Sequence, residues 1–323
     1  MKKKKTILWG VVGVLLILVV VALFNREYCL DKFRAMSYQP SEEMSRIMNA
    51  LELTGEGEFL FRASQPALNG RGEFNAHCRT DVGVESAILG CYVDKDIYVY
   101  DVDAVELDGI KELTTAHELL HAVWARMSES ERRGLTENLT KVFEQNQEVL
   151  GSEIDNYDLG EKQEELYVRV GTEVANLPAE LEKHYAEIFK NQDVVVGFYN
   201  KYITVFRRIW TELEDLEEQL GDLNVEIESK TSEYRARAGQ LQSDVLSFNE
   251  CAQTAGCFNS QWAFNTRRNE LLTEREMLEG MYAELNEMVK KYNELVEKYN
   301  ADVLYNDKLN NMINSSTEPV VVE

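Results

Sequence analysis

The sequence predicts an α+β domain that carries a long antiparallel coiled-coil hairpin and is preceded by a transmembrane helix. Three observations carry this. Residues Ile7 to Phe24 are uncharged and end in the unbroken apolar run Val14 to Phe24. Short β-branched and aromatic runs between residues 87 and 102 give way to helical periodicity over Ile110 to Met127 and Glu164 to Leu177. From Phe206 to Tyr299, apolar residues recur at alternating steps of three and four, as along a coiled-coil seam.

At the N-terminus, Lys2 to Lys5 precede the apolar stretch. A stretch of roughly eighteen residues can span a hydrocarbon core of about 30 Å when its flanks help. The lysines before it and Asn25-Arg26-Glu27 after it place residues 1–6 in the cytoplasm and the remainder outside. Val21-Ala22-Leu23-Phe24 offers no small-x-small cleavage site, so 7–24 is expected to be an uncleaved signal anchor of a single-pass cell-membrane protein. Cys29 lacks the small residues that would precede a lipoprotein cysteine.

Beyond the anchor, Ser41 to Leu53 sets Met44, Ile47, Met48 and Leu51 on one helical face, and Glu58 to Ala63 alternates weakly as a strand. Ala87 to Val93 and Ile97 to Val102 flank the polar turn Asp94-Lys95-Asp96 and read as a hairpin. Asp108-Gly109 then breaks the chain ahead of a helix from Ile110 to Met127. Together these make an α+β domain over residues 25–200.

The helix at 110–127 contains His117-Glu118-Leu119-Leu120-His121. The chain has four histidines, and two of them stand here four residues apart, where a helix stacks their side chains on one face. Two imidazoles so placed converge on one tetrahedral ion, and zinc lowers the pKa of its water towards roughly 7. The glutamate between them is set to take that water's proton, so the chemistry implied is amide hydrolysis. Thr114, Thr115, Ala116, Leu119, Leu120, Ala122 and Val123 are uncharged, as a helix under a cleft requires.

A zinc site of this kind needs a third protein ligand. In Glu164 to Leu177, the residues Leu166, Val170, Val174 and Leu177 form an apolar stripe, and Glu173 projects within roughly 20° of Leu166. Glu165 points about 100° away and lies four residues before Arg169, where an ion pair accounts for it. A carboxylate aimed at a core is costly unless paired or bound to a cation, so Glu173 is the expected ligand. Gly171 lets this helix approach the His117 helix closely.

His117, Glu118 and His121, with a glutamate on a later helix, resemble the zincin metallopeptidases and specifically the gluzincin arrangement. Ile88-Leu89-Gly90-Cys91-Tyr92, Ile97-Tyr98-Val99-Tyr100-Asp101-Val102, Gly171-Thr172-Glu173-Val174 and His184-Tyr185 also resemble a group of membrane-anchored bacterial proteins predicted to be such peptidases. The resemblance covers roughly residues 41 to 200. It implies Zn²⁺ held by His117, His121 and Glu173, Glu118 as general base, and a substrate bound as an added strand on an edge strand. Many gluzincins carry an acid four residues after the ligand glutamate; Leu177 stands there, and Asn176 is the residue that would orient a histidine instead. Tyr167, His184 and Tyr185 are candidates to stabilise an oxyanion, and spacing singles out none of them.

Cys78 with Cys91, and Cys251 with Cys257, are placed for two disulfides in an oxidising space, which leaves Cys29 over. The net charge of −23 excludes a nucleic-acid partner by repulsion. In the region 201–305, a first seam runs through Ile209, Leu213, Leu216, Leu220, Leu223 and Ile227, and a stutter follows at Thr231. A second runs from Leu278 through Met281, Leu285, Met288, Tyr292 and Leu295 to Tyr299. Asn249 to Gln261 joins them, and 306–323 is a polar tail. The function expected is that of a membrane-anchored, extracytoplasmic zinc metallopeptidase acting on a protein or peptide substrate, its coiled coil engaging a partner or a second copy. The alternative is an envelope scaffold acting through the coiled coil, with a vestigial or structural metal site.

Overall fold

The computed structural model describes residues 26–78, 89–154 and 159–315. Of these, 79% are helical, and the described strands are three short ones. This corrects the α+β zincin-like class expected from the sequence: the protein is predominantly helical. The single-pass topology is corrected too. Among the described residues no helix is long and apolar enough to cross a membrane, and residues 7–24 lie outside them.

The chain divides into two units, one of residues up to Phe206 together with those from Lys308, the other Arg207–Asp307. The first opens with α1 (Arg26–Ser37), α2 (Glu42–Ala50) and α3 (Gly55–Ala63). Ser41 caps α2 by accepting from the Met44 amide at 3.1 Å, and Thr54 caps α3 by accepting from the Gly57 amide at 3.0 Å. The cap at Thr54 explains why Glu58 to Ala63 is helical rather than the expected strand. Once the first turn is closed, Leu60, Phe61 and Ala63 all find burial from a helix.

The sheet consists of β1 (Ala67–Asn69), β2 (Gly90–Val93) and β3 (Asp96–Tyr100) in the order β1-β3-β2. β1 runs parallel to β3, and β2 pairs antiparallel with it, Gly90 opposite Val99 and Val93 opposite Asp96. The expected hairpin is present, turning through Asp94 and Lys95 with φ of 51° and 74°. Two successive positive φ values match the twist of a two-residue hairpin. A clamp from α1 holds the turn: Arg34 donates to the Lys95 carbonyl at 3.1 Å and pairs with Asp96, while Glu27 pairs with Lys95. α4 (Arg71–His77) lies between β1 and β2 in sequence, and the Cys78–Cys91 disulfide joins its end to β2.

The remaining helices are α5 (Ile110–Arg126), α6 (Glu129–Gln145), α7 (Gln147–Ile154), α8 (Leu159–Glu173), α9 (Ala179–Tyr185), α10 (Gln192–Gln253) and α11 (Gln261–Ile313). A capping box starts α6, with Ser128 and Glu131 each accepting from the other's amide. Ala116, Leu119, Leu120 and Ala122 of α5 and Tyr167, Val168 and Val170 of α8 are fully buried, so these two helices form the centre of the core. Gln192 fastens the end of α8 by donating to the carbonyls of Val170, Gly171 and Val174.

In the second unit α10 and α11 form the expected helical hairpin. Tyr299 donates to Glu217 at 2.7 Å, Lys230 pairs with Glu284, and Arg267 pairs with Asp244 at 3.0 Å. Partner numbers fall along α11 as they rise along α10, the mark of an antiparallel pair. Ile209, Leu216, Leu223, Leu278 and Leu285 are buried in the seam. At the turn, Phe248, Phe258 and Phe264 pack with centroids 5.1–5.4 Å apart, and Cys251–Cys257 closes the loop.

A β-carbon at Gly57 would stand 2.2 Å from the Ile188 carbonyl oxygen, whereas one at Gly55 meets nothing within 4 Å. Backbone cannot swing aside as a side chain can. Gly57→Ala is therefore expected to destabilise the first unit by about 3 kcal/mol, and Gly55→Ala to leave it unchanged. The midpoints of urea unfolding of the two variants check this.

Candidate metal centre

α5 places His117, Glu118 and His121 as a helix must, with both histidines on one face and ring centroids 5.0 Å apart. Their Nε2 atoms are 3.3 Å apart. Against them α8 brings Glu165, whose Oε1 is 3.8 Å from His117 Nε2 and whose Oε2 is 3.5 Å from His121 Nε2. These three side chains form a group that can hold a metal ion, with ligand atoms all within 4.8 Å of one another. Donors about 2.0–2.1 Å from a tetrahedral ion stand about 3.3–3.4 Å apart, close to the spacings found here. The residues present fit such an ion.

Glu164, next in the chain, reaches the other ring nitrogen: its Oε1 is 2.8 Å from His121 Nδ1. A proton on Nδ1 donated to that carboxylate leaves the Nε2 lone pair facing the trio, which is how an outer carboxylate orients a ligand histidine. The tandem Glu164-Glu165 thus supplies one oxygen to hold the histidine and one pair to join it.

The expected third ligand, Glu173, is replaced by Glu165, which lies earlier on α8. Glu173 faces Arg169, which donates Nε and Nη2 to its two oxygens at 2.9 Å each and also bonds the Val149 carbonyl at 3.1 Å. Arg169 lies four residues from both Glu165 and Glu173 and takes the second, which leaves Glu165 for the histidines. The stripe argument fails here because α8 is buried from Leu166 through Thr172, on every side rather than along one face. Proximity to the apolar residues then distinguishes nothing. The tandem of acids at the start of the buried stretch of α8 was the available signal.

The other candidates lie apart from the trio. Asn176 is exposed, at φ 56°, and makes the turn after α8 rather than orienting a histidine. Tyr167, His184 and Tyr185 form an aromatic cluster with Trp124. The Tyr167 hydroxyl is 3.0 Å from His184 Nε2, and the Tyr185 hydroxyl donates to the Tyr167 carbonyl at 2.6 Å. Both phenols are thereby engaged in the core, and burial pushes their pKa values up.

Glu118 is 5% exposed and lies against the start of β2. A β-carbon at Gly90 would come within 2.7 Å of its Cγ and Oε1, so the strand can pass this close only because residue 90 has no side chain. Desolvation holds the Glu118 carboxyl up to about 7. Burial likewise draws His117 down to about 4. Burial also acts to lower His121, but Glu164 and Glu165 outweigh it and hold the imidazole up to about 10. Glu165 is raised by burial and lowered more by His117, His121 and Arg169, ending at about 2. These directions favour a Glu165 carboxylate facing a charged His121 where no cation is bound, and a divalent cation would displace the Nε2 proton and keep both side chains as ligands.

Three substitutions separate these roles. Glu165→Ala is expected to weaken metal binding more than about 100-fold and Glu164→Ala about 10- to 100-fold. Glu173→Ala should leave the affinity of the folded protein unchanged but lower its stability by about 3 kcal/mol, since it strips Arg169 of its carboxylate. Chelator competition and urea unfolding measure the two effects. Comparison of the chain with family models, curated proteins and solved structures gives no match.

Proposed function

We propose that this chain is a zinc-dependent hydrolase of peptide bonds, with His117, His121 and Glu165 as the metal ligands and Glu118 as the base. The observation that carries the reading is the convergence of two imidazole nitrogens and one carboxylate beside a second, buried carboxylate. Two nitrogen donors and one oxygen donor suit zinc and leave a fourth position for water or substrate. When bound, zinc supplies a Lewis acid and a water acidic enough to react near neutral pH.

The remaining work belongs to the chain. Glu164 keeps His121 in the tautomer whose Nε2 faces the site. Glu118, one residue after His117 and walled by Gly90, takes a proton on its carboxylate and returns it to the leaving amine. The substrate is a protein or peptide. A purely structural site would have no need for Glu118 and would fill its fourth position with another side chain.

The test is metal content and turnover of the purified full chain. About one zinc per chain, with cleavage of an unstructured protein such as casein that stops on chelation and returns with zinc, is the expected result. Glu118→Gln should keep the zinc and lower kcat by about 10²- to 10⁴-fold. A parent chain that takes up no zinc after reconstitution sinks the proposal.

A further inference from the structure

The edge strand β2 is held at its two ends by different bonds. Near its far end, Arg126 of α5 donates Nη1 to the Tyr92 hydroxyl at 3.0 Å. Arg126 is itself fixed by buried Asp31, through Nε at 2.8 Å and Nη2 at 3.1 Å. At its start, beside Glu118, β2 pairs with β3 on one side, and no described strand lies on the other. What fixes this end from outside the sheet, besides its packing on Glu118 and Thr114 of α5, is the disulfide from Cys91 to buried Cys78. Cys91 directly follows Gly90, the residue that admits the Glu118 carboxylate. Alternation along a strand turns Cys91 to the face opposite Gly90 and Tyr92. The disulfide therefore secures the strand from the side away from α5.

We infer that Cys78–Cys91 is a redox-sensitive positioning bond that keeps β2 against Glu118, so that the site responds to the thiol–disulfide state of its surroundings. The inference rests on Glu118 as the base of the hydrolytic site proposed above. An external dithiol carries out the switch. Its thiolate attacks one sulfur, the mixed disulfide resolves, the dithiol closes to its own disulfide, and Cys78 and Cys91 are released as two thiols. β2 is then left with its four-residue ladder to β3, the packing of Gly90 on α5 and the Tyr92 bond, and so short an edge strand opens readily. The second disulfide, Cys251–Cys257, belongs to the other unit and can be removed to isolate the effect.

The experiment uses the full chain carrying Cys251→Ser and Cys257→Ser, oxidised or reduced with a dithiol and desalted without air. A chain carrying Cys78→Ser and Cys91→Ser stands beside it. Three properties are read: hydrogen–deuterium exchange across residues 89–93, zinc affinity by chelator competition, and casein cleavage. Reduction is expected to speed exchange in the strand about tenfold or more while zinc affinity stays within about threefold. Cleavage should fall with it, and reoxidation should restore both. The Cys78→Ser, Cys91→Ser chain should match the reduced state whatever the reagent. Unchanged exchange on reduction overturns the inference, and so does loss of zinc together with the strand, which would mean that the bond holds the whole unit. Exchange is read without turnover. A chain that cleaves nothing in either state therefore sinks the proposed function, while exchange still decides the role of the bond.

Discussion

Two carboxylates, Glu118 of α5 and Glu165 of α8, are buried beside two half-buried imidazoles, and the first unit is arranged to make that tolerable. An ionised carboxylate in a core costs several kcal/mol unless it is paired or bonded. Glu165 meets this by facing both histidines, and Glu118 by desolvation that favours its protonated form. Around them the contacts are apolar: Ala116, Leu119 and Leu120 on one helix, Val168 and Val170 on the other. Such close packing requires Gly171, where a β-carbon would lie 2.5 Å from both Leu120 and Tyr185. The charged centre and the small residue beside it thus belong to one constraint.

The rest of the unit positions two further elements against this centre. α1 grips the β2–β3 turn through Arg34 and Glu27, and α5 through Asp31 and Arg126. Through Arg126 and Tyr92 the same network reaches β2, the strand that walls Glu118. The three-stranded sheet is too small to form a layer of its own. Its role is to carry one edge strand along one face of α5, which is why a mainly helical protein retains it.

Much of this was legible along the chain. The helix at Ile110 is announced by Asp108-Gly109, and Gly109 indeed adopts φ 94° ahead of it. The turn Asp94-Lys95-Asp96 marks the hairpin, the alternating threes and fours mark α10 and α11, and the four paired cysteines join as their spacing suggested. Glu58 to Ala63 was misread because Phe59, Leu60 and Phe61 serve either period over so few residues, and the cap at Thr54 decided for the helix. An α+β class inferred partly from that segment and partly from resemblance does not hold for a chain whose sheet has three short strands.

By itself the sequence determined which residues could share a helical face. His117, Glu118 and His121 follow from spacing alone, because an α-helix repeats every 3.6 residues whatever surrounds it. Which acid joins them is not a property of spacing. Arg169 stands four residues from Glu165 and from Glu173, and local pairing favours neither. The choice was made when α8 docked on α5, turning Glu165 to the imidazoles, Glu164 to His121 Nδ1 and Glu173 to Arg169. Tertiary structure decided it because the partner of a buried charge is set by which groups cross from the neighbouring helix.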